Sequence, residues 1–171
     1  MKVEFSNNGV TDSLTGAPAP RNFFENLARE ISKSRRKYQP LAIMTFKYLA
    51  LEEKLAKKYE AEKELMELGI IVKKSIRSGD FYSRMAQDGF WVCLHADELE
   101  CGEAKIRINE KIKSSYELKK SQPILNTSRV EIAINLWDGE MNQSSWIEKV
   151  DSAYFGDEKE SNELEIHPKV F

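Results

Sequence analysis

Long apolar runs are missing from this 171-residue chain. The longest are only a few residues, too short to cross a bilayer, so membrane insertion is not expected. Met1-Lys2-Val3-Glu4 leads into no apolar core, so no secretory signal is expected either. Charge of one sign is also lacking: 26 Lys and Arg against 28 Asp and Glu give a net charge of -2. A balance so near zero makes no field that would hold a nucleic-acid polymer. Cysteine is limited to Cys93 and Cys101, and histidine to His95 and His167. Two separate cysteines without partner histidines suit reduced thiols and a cytoplasmic setting. Neither histidine has an acidic or thiol cluster at ligand spacing, so no metal site is indicated. There is no Walker-type loop, dinucleotide fingerprint, Ser/His/Asp arrangement, internal repeat or low-complexity tract.

What remains is an ordinary globular mix, 41% hydrophobic and 32% charged, of a size that suits a single domain over residues 1–171. Residues 1–11 read as a loose lead-in with a short strand at Val3–Phe5. Asp12 to Arg21 is rich in turn formers and feeds a helix carrying Phe23, Phe24, Leu27, Ala28 and Ile31 at helical spacing. Lys33, Arg35, Arg36 and Lys37 collect at its end, where cations suit the negative pole of the helix. Leu41–Leu49 is a mostly apolar run after Pro40, as expected of a central strand buried on both faces. Leu51–Ile76 reads as a long helix with Leu51, Leu55, Tyr59, Leu65, Leu68, Val72 and Ile76 inward, and the Glu and Lys residues between 52 and 64 in solvent. Glu98–Ser115 reads as a third helix with Leu99, Ile106 and Ile112 inward. Ser121–Ser128 reads as a loop and Val130–Leu136 as an alternating strand. A last helix is marked by Trp146, Ile147, Val150, Ala153 and Tyr154, and a short strand is expected at Leu164 and Ile166. The three tryptophans, Trp91, Trp137 and Trp146, are spaced as packing residues.

The chain is organised around residues 77–91. Phe81, Ser83 and Met85 alternate with Tyr82 and Arg84, and Phe90, Val92 and Leu94 alternate with Trp91, Cys93 and His95. Period two on both sides of Ala86-Gln87-Asp88-Gly89 predicts a β-hairpin with its tip at Asp88-Gly89. Arg77 and Asp80 stand three residues apart at its base. Helices interleaved with a hairpin imply an α/β (α+β) fold, a mixed sheet flanked by helices.

Taken together, these segments resemble a GGDEF domain, the diguanylate cyclase family. Asp12-Ser13-Leu14-Thr15-Gly16 with Arg21 and Phe23 resembles its opening D-x-L-T-G…R-x-F. Pro40-Leu41-Ala42-Ile43 resembles the start of its first core strand. Arg84-Met85-Ala86-Gln87-Asp88-Gly89-Phe90 stands where the family has R-L-G-G-D-E-F. Val130–Asn135 resembles its late strand, and Asp151-Ser152-Ala153-Tyr154-Phe155 its A-D-x-A-L-Y helix. The resemblance runs from about Asp12 to about Phe155 and implies the cyclase/palm-like α/β sandwich with the signature at the hairpin.

The departures fall on the chemistry. Family members join two GTP molecules into cyclic di-GMP with Mg²⁺ held by acidic side chains, because phosphoryl transfer needs its developing charge neutralised. The resemblance puts those carboxylates at Lys47 and Leu49, a cation and an apolar residue. The signature Glu is Gly89, and the two glycines that admit phosphate are Ala86 and Gln87, whose side chains take up that space. The residues that hold guanine fall near Leu55 and Ala56. Asp88 is retained. No catalytic residue, metal or cofactor is therefore expected.

The family's inhibitory site, R-x-x-D five residues before the signature, is matched by Arg77-Ser78-Gly79-Asp80. An Arg fork can donate two hydrogen bonds to a guanine Hoogsteen edge or a phosphate, and a carboxylate can accept from guanine N–H groups. Arg84 and Arg107 are candidates for further cation contacts. The plainer alternative is that Arg77 caps the preceding helix and Asp80 closes a turn. The function this implies is a catalytically inactive receptor for cyclic di-GMP that signals through a protein partner or by self-association. The alternatives are a ligand-free interaction (scaffold) module and an enzyme with residual or altered nucleotide chemistry.

Overall fold

The computed structural model describes residues 3–49, 58–119 and 130–164. Helix α1 (Pro20–Lys37) is followed by β1 (Ala42–Tyr48), α2 (Lys58–Ser75), β2 (Phe81–Ala86), β3 (Gly89–Leu94), α3 (Glu98–Lys119), β4 (Val130–Leu136) and α4 (Gln143–Leu164). The strands form one sheet in the order β2-β3-β1-β4, and every neighbouring pair is antiparallel. The α/β architecture read from the residue pattern is thus present, but among the described residues its sheet is wholly antiparallel and not mixed, because each neighbouring pair of strands runs in opposite directions. β1 lies at its centre, buried along its whole length.

Alternation along the strands divides the core into two layers. Ala42, Met44, Phe46 and Tyr48 of β1, with Phe90, Val92 and Leu94 of β3, face Leu65, Leu68 and Val72 of α2 and Ile108 and Ile112 of α3. Ile43 of β1, with Trp91 and Cys93 of β3, faces Phe23, Leu27 and Ile31 of α1 and Trp146, Val150 and Tyr154 of α4. All three tryptophans pack. Cys93 and Cys101 are free and buried, and burial raises both thiol pKa values, that of Cys101 to about 11. No described helix is long and apolar enough to cross a membrane.

Pro20 opens α1, where its missing N–H costs nothing and its fixed φ suits the first turn. The helix closes on Tyr38 at φ 53°, with the Gln39 N–H returning to the Ser34 carbonyl at 3.1 Å. That αL cap redirects the chain into β1.

Several expectations are corrected. Val3–Phe5 forms no strand; isolated bridges join Asn7 to Asp12 and Thr11 to Pro18 instead. Tyr59, at 76% exposure, lies outside the buried stripe of α2, whereas Glu64, placed in solvent by its neighbours, is buried against the Tyr48 hydroxyl. In α3 the inward positions are Cys101, Ile108 and Ile112, so Leu99 and Ile106 point outward. Leu164 ends α4 as a helical residue, not a strand. The hairpin tip is Gln87-Asp88, since Ala86 pairs with Gly89, and His95 lies just beyond β3. The expectations for residues 51–57, the 121–128 loop and Ile166 lie outside the described residues.

Candidate functional site

The two ends of the hairpin carry different chemistry. At the tip, Gly89 opens β3 opposite Lys47 of β1. A Cβ on Gly89 would stand 1.9 Å from the Phe46 carbonyl oxygen and 2.5 Å from the Tyr154 hydroxyl. No side chain fits there without moving backbone. Lys47 is buried, its Nζ donating to the Tyr154 carbonyl at 3.3 Å and lying 5.4 Å from that ring's centroid. The Tyr154 hydroxyl donates to Asp88 Oδ1 at 2.5 Å, and the Tyr48 N–H to the Asp88 carbonyl at 2.7 Å. One oxygen of the half-buried Asp88 carboxylate is thus engaged by Tyr154. The positions matched to the metal ligands present an ammonium at Lys47 and an apolar side chain at Leu49. This donor set does not fit a divalent cation, which needs several oxygen ligands.

Arg84 belongs to the tip as well. It is fully buried, with Nη1 donating to both carboxylate oxygens of Asp12 at 3.1 and 3.0 Å and Nη2 to the Gln87 carbonyl at 2.8 Å. The expectation that Arg84 offers a cation to a ligand is corrected: it ties the D-x-L-T turn to the hairpin from within. Asp12, a single turn residue in the sequence, is its partner 72 positions away, a pairing that no local spacing signals.

At the base, Arg77 and Asp80 come together as the spacing suggested. The Asp80 N–H donates to the Arg77 carbonyl and the Arg77 N–H to Asp80 Oδ2, each at 3.0 Å, closing a turn that α2 leads into. Asp80 therefore closes the turn as the plainer alternative held, and its side chain, 7% exposed, lies in the wall of a cavity. The Arg77 side chain is exposed, and its guanidinium has no partner among the described residues. A cavity of about 750 Å³ is bounded by Arg77 and Asp80, by Lys33, Lys37 and Gln39 from α1 and its cap, and by Glu100 of α3. A smaller hollow of about 80 Å³ brings Arg107 of α3 beside Arg77 and Asp80. Arg107 thus lines the same hollow as the pair; Arg84 does not.

Two residues that pattern reading passed over stand inside this site. The His95 backbone N–H donates to Asp80 Oδ1 at 3.1 Å; its ring Nδ1 lies 3.4 Å from the same oxygen and its Nε2 2.7 Å from Glu30 Oε2. Lys33 Nζ adds a 3.4 Å contact to Glu30. Burial pushes the Glu30 carboxyl up, but the hydrogen bond and charge of His95 and the contacts of Lys33 outweigh it, and the net shift is downward. Glu30 and His95 are 65 residues apart. The one available signal was Glu30, Lys33 and Lys37 at i, i+3 and i+7, a polar stripe on one face of α1.

Solved structures share this fold. A microbial GGDEF domain, described in a mode of interaction with cyclic di-GMP, superposes at a TM-score of 0.67 and 16% identity, covering 90% of this chain and 95% of its own. The GGDEF domain of DgcB from Caulobacter crescentus, in complex with c-di-GMP, superposes at 0.69 and 11% identity, covering 90% and 92%. The diguanylate cyclase SiaD from Pseudomonas aeruginosa, in complex with its activator SiaC, superposes at 0.67 and 16% identity, covering 88% and 58%. No curated protein matches the chain. The family model "Diguanylate cyclase, GGDEF domain" matches residues 9–163. With that span matched and the fold shared, this chain belongs to the GGDEF family.

Proposed function

We propose that this GGDEF-family domain makes no cyclic di-GMP and instead binds it, at the cavity where Arg77 and Asp80 meet, as a cytoplasmic receptor that signals through a protein partner or self-association. The observation that carries the reading is the contrast between the two ends of one hairpin. At the tip, an ammonium, an apolar side chain and a glycine with no room for a Cβ stand where metal and nucleotide chemistry would need carboxylates. At the base, a guanidinium without a partner among the described residues faces an open cavity whose wall holds the Asp80 carboxylate, its side chain 7% exposed, with Lys33, Lys37 and Arg107 nearby.

Cyclic di-GMP presents guanine edges and two phosphates. Arg77 supplies the planar fork that such groups accept from, and Asp80 the acceptor for guanine N–H donors. Calorimetric titration with cyclic di-GMP tests this. Saturable binding by the wild type, lost in Arg77→Ala and weakened in Asp80→Asn, is the expected result. Asparagine is chosen at Asp80 because its one carbonyl oxygen keeps an acceptor for the Arg77 N–H that closes the turn while the charge is removed. Incubation with GTP and Mg²⁺ or Mn²⁺ is expected to yield no dinucleotide, and turnover above blank would defeat the inactive assignment.

One observation favours a second reading, a ligand-free interaction module. Asp80 already accepts from Arg77 and from His95 within the chain, so the pair has a structural use without any ligand. Absence of binding at high micromolar cyclic di-GMP would select that reading.

A further inference from the structure

His95 occupies the first position after β3, with its ring between two carboxylates from different layers. On one side Nε2 meets Glu30 of α1 at 2.7 Å; on the other Nδ1 meets Asp80 Oδ1 at 3.4 Å. The His95 backbone N–H reaches that same Asp80 oxygen at 3.1 Å, while the Arg77 N–H takes the other at 3.0 Å. Asp80 is thereby held from both oxygens, by the turn it closes and by the end of β3.

An ionised carboxylate has about four acceptor positions, so these donors leave capacity for an N–H from outside. A carboxylate already fixed loses less side-chain freedom on accepting it. Glu30 extends the arrangement to α1, whose next positions on that face, Lys33 and Lys37, line the same cavity. Lys33 also faces the Glu30 charge, which would otherwise repel an anionic ligand. We propose that His95 is a positioning residue of the ligand site: it orients the Asp80 carboxylate and, through Glu30, sets the spacing between the Arg77–Asp80 turn and the lysines of α1. The inference rests on the cyclic di-GMP reading above.

The two ring contacts can be separated by substitution. In His95→Asn the side-chain amide falls near Nδ1 and offers a donor toward Asp80. In His95→Gln it falls near Nε2 and offers a donor toward Glu30. Titration of both variants, Glu30→Gln, Arg77→Ala and wild type with cyclic di-GMP, with thermal midpoints measured alongside, reads the role. Affinity is expected to fall about tenfold in His95→Gln and to stay within about threefold of wild type in His95→Asn, at similar midpoints for the pair. Glu30→Gln is expected to weaken binding less than His95→Gln. Wild-type affinity in His95→Gln, with binding still lost in Arg77→Ala, would overturn the positioning role and leave the receptor reading standing. Equal losses in His95→Asn and His95→Gln that follow equal drops in midpoint would mark His95 as a folding element only and also overturn it. A wild-type protein that does not bind would overturn the receptor reading and this inference together.

Discussion

Arg84 shows how far one residue's role depends on what the fold places beside it. In the chain it is one of eight arginines and alternates with Ser83 and Met85 on a hairpin strand; in the molecule it is fully buried on Asp12. A buried guanidinium is tolerable only with its carboxylate, so losing either partner strands a charge in the interior. Asp12→Ala is expected to cost about 3–5 kcal/mol in urea unfolding. Glu30 titrates where this can be read by pH. Its folded pKa is lowered, so the stability it contributes is present above the value of a free glutamate, about 4.3, and is lost as pH falls through the folded value. Unfolding free energy measured from pH 7 down to about pH 3 should decline less in Glu30→Gln than in wild type. Neither pairing was legible beforehand: Asp12–Arg84 and Glu30–His95 join residues 72 and 65 positions apart, beyond the reach of any local period.

Among the elements, β1 was the plainest to read, because a continuous apolar run after a proline has few other uses. The hairpin was legible in its two strands but not in its tip. Turn chemistry favours Asp-Gly, whereas β1 pulls Gly89 into the ladder opposite Lys47 and moves the turn one residue earlier. That packing makes a prediction about repair. Gly89→Glu, which restores the family's signature residue, is expected to destabilise the fold by about 2–3 kcal/mol, because its Cβ meets the Phe46 carbonyl. Thermal unfolding beside an exposed control substitution such as Lys105→Glu checks this, and the variant should gain no cyclase activity. In α3 the apolar residues occur on more than one face. Which of them turn inward was settled by Val92, Leu65 and their neighbours: Ile112 is buried as read, while Cys101 and Ile108 took the places assigned to Leu99 and Ile106.

The whole molecule is a sheet with α1 and α4 on one face and α2 and α3 on the other, and both cores support the one hairpin. A ligand held at the hairpin base, against α1 and near α3, contacts three elements that separate on unfolding. It should therefore stabilise the fold by mass action. With cyclic di-GMP at a hundred times its Kd, the gain is expected to be about 2.7 kcal/mol, a rise in Tm of about 5–10 °C. Differential scanning fluorimetry should show that rise in the wild type and none in Arg77→Ala.

Composition and period alone determined the class of element at each stretch from α1 to α4, because burial demands alternation in strands and a 3.6-residue stripe in helices. They also determined which chemical groups stand at the signature, since a lysine or glycine cannot become a carboxylate by folding. Tertiary structure decided which charges are spent internally and which face solvent. Arg84 was drawn inward by a partner far along the chain, half-buried Asp88 was engaged by Tyr154, Arg77 was left open, and His95 was brought between two carboxylates. Those outcomes depend on distances across the sheet, and one-dimensional spacing carries no record of them.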